Sequence, residues 1–287
     1  MTTKNKDFNT HKTIELGDKL LDLSTPVVMG VLNLTDDSFY DGGRYNSEKN
    51  ALKQTEKLLD EGASIIDIGA YSSRPNAPHV SFEQEWNRLK HILKNINREF
   101  PDAILSVDTF RSEIVKRVLE LGADIINDIS AGEMDNSMLT TIGKLNVPYI
   151  MMHMKGTPQT MQTNPSYTNL LAEIQHFFKS KISFLNEKGA GRIIIDPGFG
   201  FGKTIEDNYK LLNQMDSLQS FRLPIMVGLS RKSMIYKLLK TNPDKALNGT
   251  TVLHTISLLK GASIIRAHDV REAVECIKLV NFAKTTA

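Results

Sequence analysis

LLDEGASIIDIG, residues 58–69, reads as a helix that stops and a strand that starts at once. Leu58 and Leu59 end an apolar helical pattern, and Gly62 supplies the left-handed backbone that closes a helix without a Cβ penalty. Ile65, Ile66 and Ile68 follow as a β-branched run apolar on both faces, the pattern of a parallel strand covered by helices. The same joint recurs as VLELGADIINDI (118–129), EKGAGRIIIDPG (187–198) and LKGASIIRAH (259–268). The four glycines, at 62, 122, 189 and 261, are unevenly spaced, so an architecture repeats without the fixed period of a solenoid.

Working outward from these joints, the pattern predicts eight strands, at about 27–33, 64–69, 103–108, 124–129, 147–153, 192–196, 223–229 and 263–267. A helical pattern follows each. In the first, Ala51, Leu52, Thr55, Leu58 and Leu59 share one face, and Ser47 is the expected cap. Two helices, about 232–240 and 244–260, are expected after the seventh strand, and a last one at 270–284 closes the ring. Residues 12–23 read as a short hairpin, and 1–11 as a polar tail. Alternating β and α elements imply a parallel sheet, and eight units imply closure into a (β/α)8 TIM barrel, a single domain over 12–287. The rival, an open doubly wound sheet, lacks its GxGxxG signature after any strand.

The chain of 287 residues is 40% hydrophobic, enough for a large core. Its net charge of +2 argues against a broad nucleic-acid surface, yet leaves room for a few cations focused in one cleft. Cys276 is the single cysteine, so no intrachain disulfide forms and a reducing, cytoplasmic setting is expected. The first 13 residues lack the apolar segment of a signal peptide, and no run suits a membrane span.

In such barrels the reacting groups sit at the carboxyl ends of the strands. Those ends read Asn33, Asp67, Asp108, Asn127 with Asp128, His153, Asp196, Ser230-Arg231-Lys232, and Arg266 with His268. One such residue alone is usually a polar group satisfied by a nearby amide. Eight together suit a polar heterocycle that carries an anion. Two loops add candidates: NLTDDSFYDGGR (33–44), rich in Asp, Gly and hydroxyls, and GAYSSRPNAP (69–78), with Arg74 and two prolines. Either could be an ordinary surface connection. DPGFGFGK (196–203) is not a phosphate-binding P-loop. Its glycines allow a tight bend around a ligand, with Phe199 or Phe201 as a stacking surface or as core.

MGVLNLTDDSFYDGG (29–43) resembles the first signature of the dihydropteroate synthase family, and GAYSSRP (69–75) its second. SVDTF, INDIS, DPGFGFGK, GLSRKSM and RAHDV match later strand ends of that family in order, from about residue 27 to 270. The resemblance implies a transferase of folate synthesis, joining a dihydropterin diphosphate to p-aminobenzoate with Mg2+. It implies that Asp108, Asn127, Met152, Asp196, Gly228 and Lys232 hold the pterin. Phe39, Ser73, Arg74, Pro75, Phe201, Lys232 and Ser233 would surround the aminobenzoate. Asn33, Arg266 and His268 would hold the diphosphate, Asn33 as metal ligand, with Asp37 ordering the metal site. Asp108, Asp196, Lys232 and Asp37 would be the catalytic set, and a homodimer built on the last helices is expected.

The chain departs from the family pattern at Asp36, where Pro is usual, at Ser73 and at Asn76. Asp36 removes a φ restraint and adds negative charge beside the implied metal. Two rivals remain: a pterin-barrel methyltransferase, which needs no anion clamp of Arg266 and His268, and a non-catalytic metabolite-binding barrel with altered loops. His11, His79, His91 and His176 read as solvated, His153 as support for its neighbours, Trp86 as helix packing and the methionines as barrel filler.

Overall fold

The computed structural model describes residues 13–34, 44–71 and 79–286, with the side chains of 44–47 left aside. Eight parallel strands form one sheet: β3 (Val27–Asn33), β4 (Ile65–Gly69), β5 (Ile104–Asp108), β6 (Ile125–Asp128), β7 (Tyr149–Met152), β8 (Ile193–Asp196), β9 (Met226–Val227) and β10 (Ile264–Ala267). Their order is β8-β7-β6-β5-β4-β3-β10-β9, and a parallel bridge between Ile195 and Ile225 closes the ring. Helices α1 (Arg44–Asp60), α2 (Phe82–Glu99), α3 (Ser112–Leu119), α4 (Met138–Leu145), α5 (Leu170–Glu187), α6 (Ile205–Asn213), α7 (Ser233–Tyr236), α8 (Leu247–Leu259) and α9 (Val270–Thr285) surround it. This is the TIM barrel that the alternation predicts.

Strand alternation divides the buried residues into two cores. Ile66 and Ile68 of β4 point outward and join Leu58, Leu89, Leu93 and Ile96 from α1 and α2. Ile65 points inward, with Met29, Ile125, Ile150, Ile194, Met226 and Ile264, at the amino-terminal end of the barrel. The hairpin of β1 (Thr13–Leu16) and β2 (Lys19–Asp22) plugs that end, because its alternate residues Ile14, Leu16 and Leu21, together with Leu23, belong to the same cluster. Each such side chain, taken from water, contributes about 1.5–3 kcal/mol. Polar contacts hold the plug in register: Lys19 donates to the Ala103 carbonyl at 2.7 Å and to Asp124 at 3.2 Å. Arg192 donates to the Glu15 carbonyl at 2.8 Å.

Three local expectations need correction. Ser47 lies inside α1, which begins at Arg44, so it is not the cap. The seventh strand shrinks from 223–229 to Met226–Val227 plus the bridge at Ile225, because the chain turns away at Gly228 into the Leu229–Lys232 loop. The helix expected over 232–240 is four residues long, and a 3-10 turn at Pro243–Lys245 leads into α8.

Candidate active site

One step further along each strand, two residues beyond the apolar layer, the barrel interior becomes polar. Asp67, wholly buried, is its hub. It accepts from Ser106 Oγ at 2.7 Å, from Asn127 Nδ2 at 3.1 Å and from Arg266 Nε at 2.7 Å. Arg266 Nη2 also donates to Asp108 at 3.2 Å, so one guanidinium spans two carboxylates from β4 and β5. Burial alone would push the charges out of this layer, and their mutual pairing is what lets them stay. The register places Asn33, Gly69 and Asp108 side by side on β3, β4 and β5. A Cβ on Gly69 would lie 3.6 Å from Asn33 Oδ1 and 3.7 Å from Asp108 Oδ2, so both polar groups flank the space above that glycine.

Electrostatics in the mouth are strongly perturbed. Burial, with like charge from Asp67, pushes Asp108 up to about 8 against the pull of Arg266. Asp196, also raised by burial, is drawn back by Lys232 and by the Gly198 N–H, which donates to it at 2.8 Å. Burial lowers Lys232 to about 8, opposed by Asp196 and helped by Arg266. Asp196 ends β8, Lys232 stands over Gly228 just past β9, and Arg266 lies on β10, so the three belong to adjacent strand ends of the ring. Groups perturbed by such competition between burial and charge mark a candidate catalytic or binding site.

Lys232 donates to the Phe199 carbonyl, and its ammonium stands 4.4 Å from the centre of the Phe201 ring. This resolves the open choice in the glycine-rich loop: Phe199 is wholly buried in the outer core, whereas Phe201 is half-buried beside Met152, Met154 and Met161. Gly228 lies under the same lysine, since a Cβ there would meet Nζ at 3.8 Å. Ser233 opens α7, with Lys232 at the N-cap position. His268 is exposed at the rim, its Nδ1 3.1 Å from Ser230 Oγ.

Other strand-end residues belong to the scaffold. In the pair Asn127-Asp128, alternation sends Asn127 inward and Asp128 outward, where Asp128 accepts from Tyr149 Oη at 2.7 Å, Ser130 and the Gly132 N–H. Arg231 forms a two-pronged pair with Asp269 at 2.8 Å for each bond. His153 faces neither the mouth nor solvent: it meets Lys203 at 3.1 Å and the Phe177 ring edge-on at 5.0 Å. It is one of the residues lining a separate groove of about 910 Å³ beside α5. Asp67 and Lys203 received no role from the sequence beyond position. The signal for Asp67 was present, since IIDIG places it two residues after the inward Ile65.

Among the described residues no group of three His, Cys, Asp or Glu side chains could hold a metal. Asp36, Asp37, Phe39, Ser73, Arg74, Pro75 and Asn76 lie outside the described residues. None of the described helices is long and apolar enough to cross a membrane.

Comparison with known proteins points in one direction. Residues 29–268 match the profile of the pterin binding enzyme family. The dihydropteroate synthase of Escherichia coli K12 is 41% identical over 262 residues, covering 91% of this chain and 92% of that protein. A Yersinia pestis dihydropteroate synthase, solved with a sulfonamide drug complex, superposes with a TM-score of 0.89 at 38% identity, over 95% of this chain and 99% of that one. A Xanthomonas albilineans dihydropteroate synthase with 4-aminobenzoic acid gives 0.88 at 33% identity, over 95% and 98%.

Proposed function

The chain belongs to the pterin-binding enzymes, as a dihydropteroate synthase of folate synthesis, and from that membership we propose that it condenses 6-hydroxymethyl-7,8-dihydropterin diphosphate with p-aminobenzoate. The C–O bond of the exocyclic methylene breaks, and diphosphate leaves with the electron pair. The amine nitrogen forms the new C–N bond and gives up one proton. The observation that carries this reading is the placement of Asp196, Lys232 and Arg266 at adjacent strand ends on one side of the barrel. A carboxylate suits the two parallel N–H donors of the aminopyrimidinone edge, and Asp196 on the barrel wall offers one. Asn127, Met152 and Gly228 would frame the ring, and Lys232 would donate to its carbonyl side. Asp108, held near 8, can exist protonated or charged at working pH and so adapt to a neutral heterocycle.

Arg266 uses Nε and Nη2 on Asp67 and Asp108, and Nη1 enters neither bond. That edge, with His268 at the rim, would meet diphosphate oxygens. Mg2+ would be held through the Asn33 side-chain oxygen, which lies beside Asp108 at the strand ends, and through the substrate phosphates. When bound, it would neutralise charge on the departing diphosphate. Fixed cations aimed at that charge need no reorganisation as the bond breaks. We favour a dissociative route, in which the dihydropterin ring shares positive charge with the methylene. Isotope effects of concerted attack, with no C–O cleavage in the absence of p-aminobenzoate, would contradict it.

The aminobenzoate ring would stack on Phe201 beside the stem of Lys232, its carboxylate meeting Ser233. Because α7 has only four residues, the Ser233 hydroxyl and N–H rather than a summed helix dipole would supply the donors. Phe39, Ser73, Arg74 and Pro75 would complete the enclosure, with Asp37 ordering the metal. A homodimer through the last helices is supported by Val252 and Leu259 on α8 and by Leu279 and Phe282 on the adjoining α9, all at least half exposed. The lone, buried Cys276 suits a cytoplasmic setting. The test is diphosphate release by purified protein given both substrates and Mg2+. Release that requires p-aminobenzoate supports the synthase; pterin binding without release would favour a binding barrel.

A further inference from the structure

We propose that Lys203 is a positioning residue, whose buried ammonium holds the Asp196–Lys203 loop in the shape that presents Phe201 to the mouth. The inference rests on the reading above that Phe201 lines the aminobenzoate site. At 3% exposure Lys203 is out of reach of a ligand, so it does not touch a substrate itself.

The loop needs such a device. Gly198, Gly200 and Gly202 have φ values of +71°, +81° and +59°, and a chain that bends this often has no neighbouring strand to take its carbonyls. Side chains take them instead, at five successive positions. Lys203 donates to Gly198 O at 2.9 Å and to Phe201 O at 3.0 Å. Lys232 donates to Phe199 O, Gln162 to Gly200 O at 2.9 Å, and Tyr167 to Gly202 O at 2.7 Å. Lys203 alone serves two of the five, on either side of the carbonyl that Lys232 uses.

The same ammonium reaches across to the neighbouring strand end, 3.1 Å from His153 Nδ1 and 3.3 Å from His153 O. His153 follows β7 directly, and the loop follows β8, so Lys203 joins the two edges of the mouth. Clearance is minimal: a Cβ on Gly198 would meet His153 O at 2.0 Å. Burial and the charges of Lys203 and Lys155 hold His153 down to about 2, so its Nδ1 faces the ammonium as an acceptor. Four acceptors surround the ammonium, of which Gly198 O also takes the Phe201 N–H at 3.1 Å, and their pull opposes the burial that draws Lys203 down to about 7. An apolar or shorter side chain would leave the Phe201 and His153 carbonyls without this donor, and the loop would shift to find others.

The test compares wild type with Lys203→Met, reading kcat and KM for p-aminobenzoate by diphosphate release. Calorimetry separately reads the affinity for hydroxymethyl-dihydropterin diphosphate, and circular dichroism reports folding. We expect KM for p-aminobenzoate to rise about 10-fold or more, with pterin affinity within about 3-fold of wild type, because Asp196 and Asn127 stay on their strands. An unchanged KM overturns the proposal. So does an equal weakening of both substrates, which marks a merely structural lysine. If Lys203→Met does not fold, His153→Phe deletes one of the four acceptors while keeping a ring against Phe177. It should then raise the same KM about 3-fold at unchanged pterin affinity, and no rise overturns the proposal. A wild type that releases no diphosphate is a different result: it overturns the reading of the site, and the inference with it.

Discussion

Two cross-sections of this barrel, one residue pair apart along the strands, have opposite chemistry. In the lower section Ile65, Ile104, Ile125, Ile150, Ile194, Met226 and Ile264 meet the hairpin in an apolar cluster. Two residues on, the same strands present Asp67, Ser106, Asn127, Met152, Asp196, Gly228 and Arg266. Period-two alternation keeps both sets pointing inward, so a single step converts packing into recognition. The lower section is held by burial and closes itself off from solvent. The upper section holds charges at a cost, offset where Arg266 bridges Asp67 and Asp108 and where Asp196 meets the Gly198 N–H and the charge of Lys232. Stability and function are thus stacked along the barrel axis rather than spread around it.

Strand β8 gives the sharpest way to break that division. Asp196→Asn should lower diphosphate release about 1000-fold, the loss of roughly two charge-assisted hydrogen bonds, while the melting temperature moves by only a few degrees. Two residues earlier, Ile194→Ala should cost about 3 kcal/mol of stability, seen as a drop of roughly 5 °C in Tm, with KM for both substrates retained. A result in which both substitutions damage activity and stability equally would dissolve the distinction between the sections.

A third effect is read through pH. Asp108 is raised from its ordinary range to about 8 in the folded protein, so the folded state holds a proton that the unfolded chain releases near pH 4. Its contribution to stability is therefore fully present below pH 4 and is lost as pH rises toward 8. Denaturant melts of the ligand-free protein should show stability falling over that window, and Asp108→Asn should flatten the slope. The smallest effect belongs to the plug: Lys19→Met removes a partly exposed pair with Asp124 and should cost about 1 kcal/mol or less, with kcat unchanged.

Much of this was legible in the residues. The Gly-then-Ile joints specified helix ends and buried strands together, and IIDIG, IINDI, IIIDP and IIRAH each carry the switch from apolar to polar within three residues. What escaped depends on direction rather than type. Asn127 and Asp128 are both polar and adjacent, and only the register decides that one faces the barrel interior beside Asp67 while the other braces Tyr149. Arg231 and Lys232 are both cations, yet Arg231, at a φ of +55°, turns back onto Asp269. Lys203 looked like the end of a glycine motif because its four acceptors come from backbone and from a histidine fifty residues away. Ser47 had the chemistry of a cap, but α1 begins three residues earlier.

The most direct test is a double-substitution cycle on the upper section. Calorimetry would measure the affinity of wild type, Asp196→Asn, Lys232→Met and the double variant for hydroxymethyl-dihydropterin diphosphate. Two groups reading one heterocycle across a shared mouth should be coupled by about 1 kcal/mol or more. Losses that add to within about 0.5 kcal/mol would mean that the carboxylate and the ammonium act on the ligand independently, contrary to the account given for this barrel.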